Sequence, residues 1–209
     1  EMCIRDRPLI GSMPNVEHCF VLDGEIEGFE DWEAAVSKMP PQKIADQCEG
    51  AAMLYSSGTT GYPKGVKRPL PEQEYGEEVA PNLMSVLYGA GEGSIYLSPA
   101  PLYHAAPLAF TMSCLRMGVT VVVMQHFEAE YALQCIQDYR ITHSQWVPTM
   151  FVRMLKLPEE VRVKYDVSSL QVAIHAAAPC PIPIKEQMIS WWGKVIFEYY
   201  AGTEGNGFV

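Results

Sequence analysis

Long apolar runs are missing from this 209-residue chain: no stretch reaches the length of a transmembrane helix, so a water-soluble fold is expected. Positive charge is scarce, with 15 Lys and Arg against 25 Asp and Glu and a formal net charge of −10. That balance argues against nucleic acid or an anionic membrane surface as the main partner. Signals of cysteine pairing are also missing. Cys3, Cys19, Cys48, Cys114, Cys135 and Cys180 form no C-x-x-C pair and no His/Cys cluster at zinc spacing. Free thiols in a reducing cytoplasm are the simplest reading. No internal repeat or low-complexity linker interrupts the chain. What is present, 48% hydrophobic and 19% charged residues, suits a globular enzyme with a substantial core.

Against that background one segment stands out, Tyr55-Ser56-Ser57-Gly58-Thr59-Thr60-Gly61-Tyr62-Pro63-Lys64-Gly65. Its glycines let backbone N–H groups surround an anion, its Ser and Thr hydroxyls donate further hydrogen bonds, and Lys64 supplies positive charge. Lys67 and Arg68 extend this basic locality. The order is wrong for a Walker loop. Pro63 precedes Lys64 and Gly65 follows it, so no helix bearing a magnesium-binding hydroxyl begins at the lysine. The plain alternative is a Ser/Thr/Gly surface loop. The apolar run 51–55 ahead of it reads as a short strand.

Three further segments carry groups suited to a site. Pro101-Leu102-Tyr103-His104-Ala105-Ala106-Pro107 holds an aromatic and a histidine, though a lone His104 also fits a packed or capping role. Ile174-His175-Ala176-Ala177-Ala178-Pro179 offers small side chains against which a flat base can slide, or else a plain strand-to-helix turn. Tyr199-Tyr200-Ala201-Gly202-Thr203-Glu204 combines aromatics, a hydroxyl and a hard carboxylate oxygen ligand, or else a fragment of a capping box.

Taken in this order, the segments resemble the adenylate-forming (AMP-binding) superfamily, which includes acyl-CoA synthetases, luciferases and peptide-synthetase adenylation domains. Ala201 stands where that family usually has glycine. The resemblance implies MgATP-dependent activation of a carboxylic acid as an acyl-adenylate, followed by transfer to CoA. It assigns Ser56, Ser57, Gly58, Thr59, Thr60, Gly61, Pro63 and Lys64 to the β- and γ-phosphates, Thr203 to the α-phosphate and Glu204 to Mg²⁺. It sets Tyr199 and Tyr200 with Ala177, Ala178 and Pro179 around the nucleotide, with His104 bordering the acyl carboxylate. Lys64, His104, Thr203 and Glu204 are thus the expected catalytic groups, and ATP, Mg²⁺ and CoA the expected cofactor and co-substrates.

The segment Thr142-His143-Ser144-Gln145-Trp146-Val147-Pro148-Thr149-Met150-Phe151 is similar to the family's strand-to-helix stretch along the acyl pocket. Trp146 and Met150, with His104 and His175, are the expected pocket residues; core packing is the alternative for the apolar ones. Residues 105–110 contain no acid to pair with a substrate ammonium, so an acid without an α-amine fits better. The closest resemblance is to bacterial fatty-acid-type acyl-CoA synthetases. An aryl-acid or luciferase-like adenylating enzyme, or a non-catalytic nucleotide-binding fragment, is the alternative.

Strand-like and helix-like stretches alternate along the chain. Strands are expected at 18–22, 94–98, 120–124, 141–146, 170–174 and 195–199, those at 94–98 and 120–124 being buried. Helices are expected at 31–39, 76–88, between the strands at 94–98 and 120–124 with Leu108, Met112 and Leu115 on one face, around 129–136, from Pro148, and at 184–192. The polar stretch 158–169 reads as a surface connection. This order predicts an α/β fold whose largely parallel sheet is flanked by helices, part of the large N-terminal domain of such an enzyme. Residues 1–7 resemble a translated sequencing adapter. Residues 8–209 then form the central part of one adenylation domain, expected to be inactive in CoA ligation alone because the family's C-terminal lysine lies outside it. Loops after the strands should converge on one rim.

Overall fold

A computed structural model of the protein describes residues 12–56, 61–72, 74–77 and 82–202. The chain divides into two units, Glu1–Gln47 and Cys48–Val209. In the first, β1 (Phe20–Val21) pairs in parallel with β2 (Glu30–Asp31), which leads into α1 (Trp32–Val36). The Asp31 carboxylate starts that helix by accepting from the Ala34 N–H at 2.6 Å, the usual answer to orphan donors at a helix N-terminus. The Phe20 and Trp32 rings meet edge to face at 5.5 Å. The helix is shorter than the expected 31–39; Ser37, Lys38 and Met39 continue only as hydrogen-bonded turns.

The second unit begins with a hairpin that the sequence reading did not contain. Strand β3 (Leu54–Ser56) pairs antiparallel with β4 (Lys64–Val66), so Lys64 lies on a returning strand opposite Ser56. Gly65 faces Tyr55 across this pair. A Cβ at Gly65 would stand 2.8 Å from Met53 Cε and 3.2 Å from the Tyr55 ring, and glycine relieves that crowding.

The main sheet is parallel throughout, in the order β6–β5–β7–β8–β9. Its elements run β5 (Ile95–Ser98), α3 (Ala105–Arg116), β6 (Thr120–Val123), α4 (Ala129–Asp138), β7 (His143–Trp146), α5 (Pro148–Leu155), α6 (Glu159–Arg162), β8 (Val172–His175), α7 (Ile182–Trp192) and β9 (Ile196–Glu198), with α2 (Leu83–Tyr88) ahead of them. The expected α/β architecture is therefore present. Connections of one hand place helices on opposite faces when the strand order reverses. From β5 the chain moves outward to β6, then crosses back to β7 and continues the other way. Helices α2 and α3 accordingly cover one face, where Met84, Phe110 and Cys114 pack with Tyr96, Val172 and Ile174. Helices α4, α5 and α7 cover the other, where Leu133, Ile136, Phe151, Met154, Met188 and Trp192 pack with Leu97, Trp146 and Ala173.

Local chemistry explains the boundaries. Asn82 caps α2 through Oδ1 to the Met84 N–H at 3.0 Å, while its Nδ2 donates to the Ser113 carbonyl of α3 at 3.0 Å. The expected helix 76–88 thus starts later, at Leu83, with residues 78–81 outside the described residues. Gly89 ends α2 at φ 69°, a conformation without penalty only for glycine. Pro148 begins α5 with its φ already helical. Part of the expected 158–169 connection is helical, since Pro158 introduces α6.

One expectation is met in an unexpected setting and one needs correction. Leu108, Met112 and Leu115 do share a face of α3, but that face is exposed; Pro107, Phe110, Thr111 and Cys114 are buried instead. The helix is apolar on both sides, so periodicity alone does not identify its core face. Strand β6, expected to be buried, is a sheet edge with Val123 50% exposed. Among the described residues, Cys19, Cys48, Cys114, Cys135 and Cys180 are free, and no helix is long and apolar enough to cross a membrane.

Candidate functional site

Where the strand order reverses between β5 and β7, the loops leaving their C-terminal ends diverge and open a crevice. A cleft of about 800 Å³ occupies this place. Its wall is built from Ala100, Pro101 and His104 after β5, from Gln145 and Trp146 at the end of β7, and from Ala176 and Ala177 after β8. Tyr199, Ala201 and Gly202 after β9 contribute the next segment, and Leu54 of β3 and Arg68, which follows β4, add to the lining from the hairpin side.

His104 occupies the N-cap position of α3 without making a side-chain cap hydrogen bond. Its exposed ring instead lies against Tyr103, with centroids 4.4 Å apart, and borders the cleft. Met150 and Trp146 line the cleft and also belong to the core. Trp146 is 1% exposed, and its Nε1 donates to the Ser144 hydroxyl at 2.7 Å, so it stands at the cleft wall with most of its surface in the core. Phe151, from the same segment, is buried in the core and does not line the cleft.

The small-residue turn is pinned at its start by the Ala176 N–H, which donates to the Trp146 carbonyl at 3.4 Å. Ala177 then takes φ 74°, a left-handed conformation costly for a residue with a Cβ. Ala178 and Pro179 follow, exposed and outside the lining. His175 points the other way. Its ring is fully buried on the α5 and α7 face, 5.5 Å from the Phe151 ring and with Nδ1 3.8 Å from Glu198 Oε1. Burial pushes its pKa below the ordinary value, with Glu198 opposing and Lys185 reinforcing that shift.

Tyr199 packs its ring against Phe110 at 5.7 Å and accepts a hydrogen bond from Gln145 Nε2 at 3.1 Å. Burial raises the pKa of its phenol, and the Gln145 contact partly opposes this. Tyr200 is 82% exposed and does not line the cleft, whereas Ala201 and Gly202 do. Thr203 and Glu204 lie outside the described residues, as do Ser57, Gly58, Thr59 and Thr60. Gly61 has φ 93°, with open space around it; Pro63 and Lys64 are exposed and outside the lining.

Three of the four expected segments therefore reach one rim: His104, Ala177, and the stretch ending at Gly202. The hairpin contributes Leu54 and Arg68. Gln145 was not singled out from the sequence. Its signal in the sequence is a polar side chain inside the strand-like run 141–146, and the structure shows all four positions of β7 to be buried.

The sequence profile described as AMP-binding enzyme matches residues 5–209. 4-Coumarate–CoA ligase 2 of Petroselinum crispum is 36% identical over 155 residues, covering 70% of this chain and 27% of that protein. The chain spans less than a third of the length of the curated relatives it matches. Among solved structures, the amide bond synthetase of Marinactinospora thermotolerans covers 100% of this chain and 40% of its own, with a TM-score of 0.75 and 23% identity, a likeness of fold. o-Succinylbenzoate coenzyme A synthetase of Bacillus subtilis, solved with ATP and magnesium ion, has a TM-score of 0.61 and 26% identity over 84% of this chain and 37% of its own. By the profile match over nearly its whole length, and by its parallel sheet and switch-point cleft, the chain belongs to the AMP-binding enzyme family.

Proposed function

We propose that this chain is the central part of the adenylation domain of an ATP-dependent acid–CoA ligase, with an aryl carboxylic acid as substrate. The observation that carries this reading is the single cleft lined by His104, Trp146, Met150, Ala177, Tyr199 and Gly202, residues of four separate motif segments. Relatives named 4-coumarate–CoA ligases favour the aryl acid over the fatty acid suggested by the sequence resemblance. The aromatic rings of Phe110 and Tyr199 in the cleft wall also suit an aryl acid. A fatty acid is the second reading, supported by the flexible side chains of Met84 and Met150 in the same wall.

The chemistry requires a carboxylate to attack the α-phosphorus of ATP with pyrophosphate leaving, and the CoA thiol then to attack the acyl carbon of the mixed anhydride with AMP leaving. Positioning and charge neutralisation suffice for the first step, and no side-chain nucleophile is needed. Ser56, Ser57, Gly58, Thr59, Thr60, Gly61, Pro63 and Lys64 would hold the outer phosphates. Thr203 would bond the α-phosphate, with the adenine between Tyr200 and the turn Ala177, Ala178 and Pro179. His104, unburdened by capping, would border the acyl carboxylate.

Glu204 would hold Mg²⁺, which supplies charge neutralisation when bound. Among the described residues there is no cluster of three or more His, Cys, Asp or Glu able to hold a metal. A single carboxylate completed by substrate phosphates is the usual arrangement for this ion.

The test is acid-dependent ATP–pyrophosphate exchange by the complete protein, comparing cinnamate-type acids with fatty acids of several lengths. Exchange driven by aryl acids is expected. Exchange with fatty acids alone would select the second reading, and no exchange with any acid would refute both.

A further inference from the structure

Gln145 lies at the C-terminal end of β7, is 5% exposed, and lines the cleft. Strand alternation puts His143 and Gln145 toward α2 and α3, whereas Ser144 and Trp146 face α4, α5 and α7. His143 accordingly meets the Tyr88 carbonyl and Gln145 meets Tyr199, whose ring rests on Phe110. The amide is held at one end only. Nε2 donates to the Tyr199 hydroxyl at 3.1 Å, and Oε1 is buried with no partner. Buried amide oxygens are nearly always paired, because leaving one unpaired forfeits its hydration without return. Other described residues with unpartnered buried side-chain atoms are Tyr96, Arg162, His175 and Trp192, and none of these lines the cleft.

Much of the cleft wall is apolar, with Ala109, Phe110, Val147 and Met150 among its lining residues, and these side chains offer a ligand no hydrogen bond. A ligand body entering this region can satisfy Oε1 only by bringing a donor. We propose that Gln145 is a specificity-determining residue, whose Oε1 accepts a hydrogen bond from a hydroxyl on the body of the acid, remote from the carboxylate. This rests on the reading of the cleft as an acid-activating site and narrows its substrate to hydroxylated acids. A site that hydrogen-bonds a substrate hydroxyl discriminates strongly against the analogue lacking it, because the buried polar group is then left unpaired.

The experiment compares the complete protein with its Gln145→Leu variant in ATP–pyrophosphate exchange driven by cinnamate, its 3- and 4-hydroxy forms and its 4-methoxy form. The wild-type protein is expected to favour a hydroxy acid over both the unsubstituted and methoxy acids by at least about tenfold in kcat/KM. In Gln145→Leu that ratio falls to near one. Equal use of all four acids by the wild type overturns the assignment while leaving the acid-activating reading intact. So does a hydroxyl preference that survives in Gln145→Leu, or a variant whose sole change is a higher KM for ATP with every acid. Absence of exchange with any acid removes the underlying reading and the assignment with it. The wild-type ratio needs no variant, so poor folding of Gln145→Leu does not shield the proposal.

Discussion

Burial acts in one direction on two histidines of the main sheet. His143 is 1% exposed; its Nε2 donates to the Tyr88 carbonyl at 2.9 Å, which leaves Nδ1 to accept from the Thr142 hydroxyl at 2.8 Å. Burial lowers its pKa from the ordinary value, partly opposed by the Tyr88 contact. His175 is lowered for the same first reason, with Glu198 and Lys185 as its charged neighbours. Both rings are therefore neutral in the folded state where an unfolded histidine, near pKa 6.5, already binds a proton. The unfolded chain takes up more protons below that pH, so stability falls as pH drops through it. Carboxylates with lowered pKa, such as Glu198 and Asp166, add a further loss only at lower pH, below the ordinary carboxylate value. Urea midpoints should thus fall between pH 7.5 and 5.5, and His175→Leu should flatten that fall. An unchanged slope in the variant would refute the role of His175.

Among the elements, the turn after β8 is under a clear backbone constraint, one of three places where a described residue other than glycine holds a positive φ. Ala177 holds φ 74° where it lines the cleft, and the cost of a Cβ in that region is about 1–2 kcal/mol. A β-branched side chain there is worse, because its two γ substituents crowd the backbone. Ala177→Val should lower the melting temperature by several degrees, a loss of about 2–4 °C per kcal/mol at this chain length. Ala177→Gly should be neutral or mildly stabilising, its relief from strain set against the larger entropy of the unfolded chain. Melting curves of the two variants test this, and equal shifts would show that the turn is not strained. Helix α3 illustrates a different constraint: its buried side and its exposed side are both apolar, so packing rather than propensity orients it.

For the whole molecule, that second apolar side matters. Met112 and Leu115 on α3 are 50% and 53% exposed, and Val86 and Leu87 on α2 are 64% and 49% exposed. Exposed apolar surface of this kind marks a site of association. The 209-residue chain should self-associate at raised concentration, and Met112→Glu with Leu115→Lys should reduce this without changing its circular dichroism. Light scattering across a concentration series is the measurement. A wild-type chain that stays monomeric throughout would contradict the expectation.

The sequence by itself determined the alternation of strands and helices, because a period of two or 3.6 is written in which residues are apolar. It also determined that His104, Ala177 and the segment through Gly202 follow strand ends, and hence belong on one rim. The polar loop gave the family resemblance through groups that bind phosphate, a chemistry local to the chain. What only the tertiary structure decided depends on neighbours distant in sequence. The face of α3 that is buried follows from where β5 and β6 lie beneath it. His175 turns from the cleft because one step along β8 reverses the side of the sheet. Gln145 becomes a candidate reader of substrate because Tyr199, 54 residues on, takes one end of its amide and leaves the other unpaired.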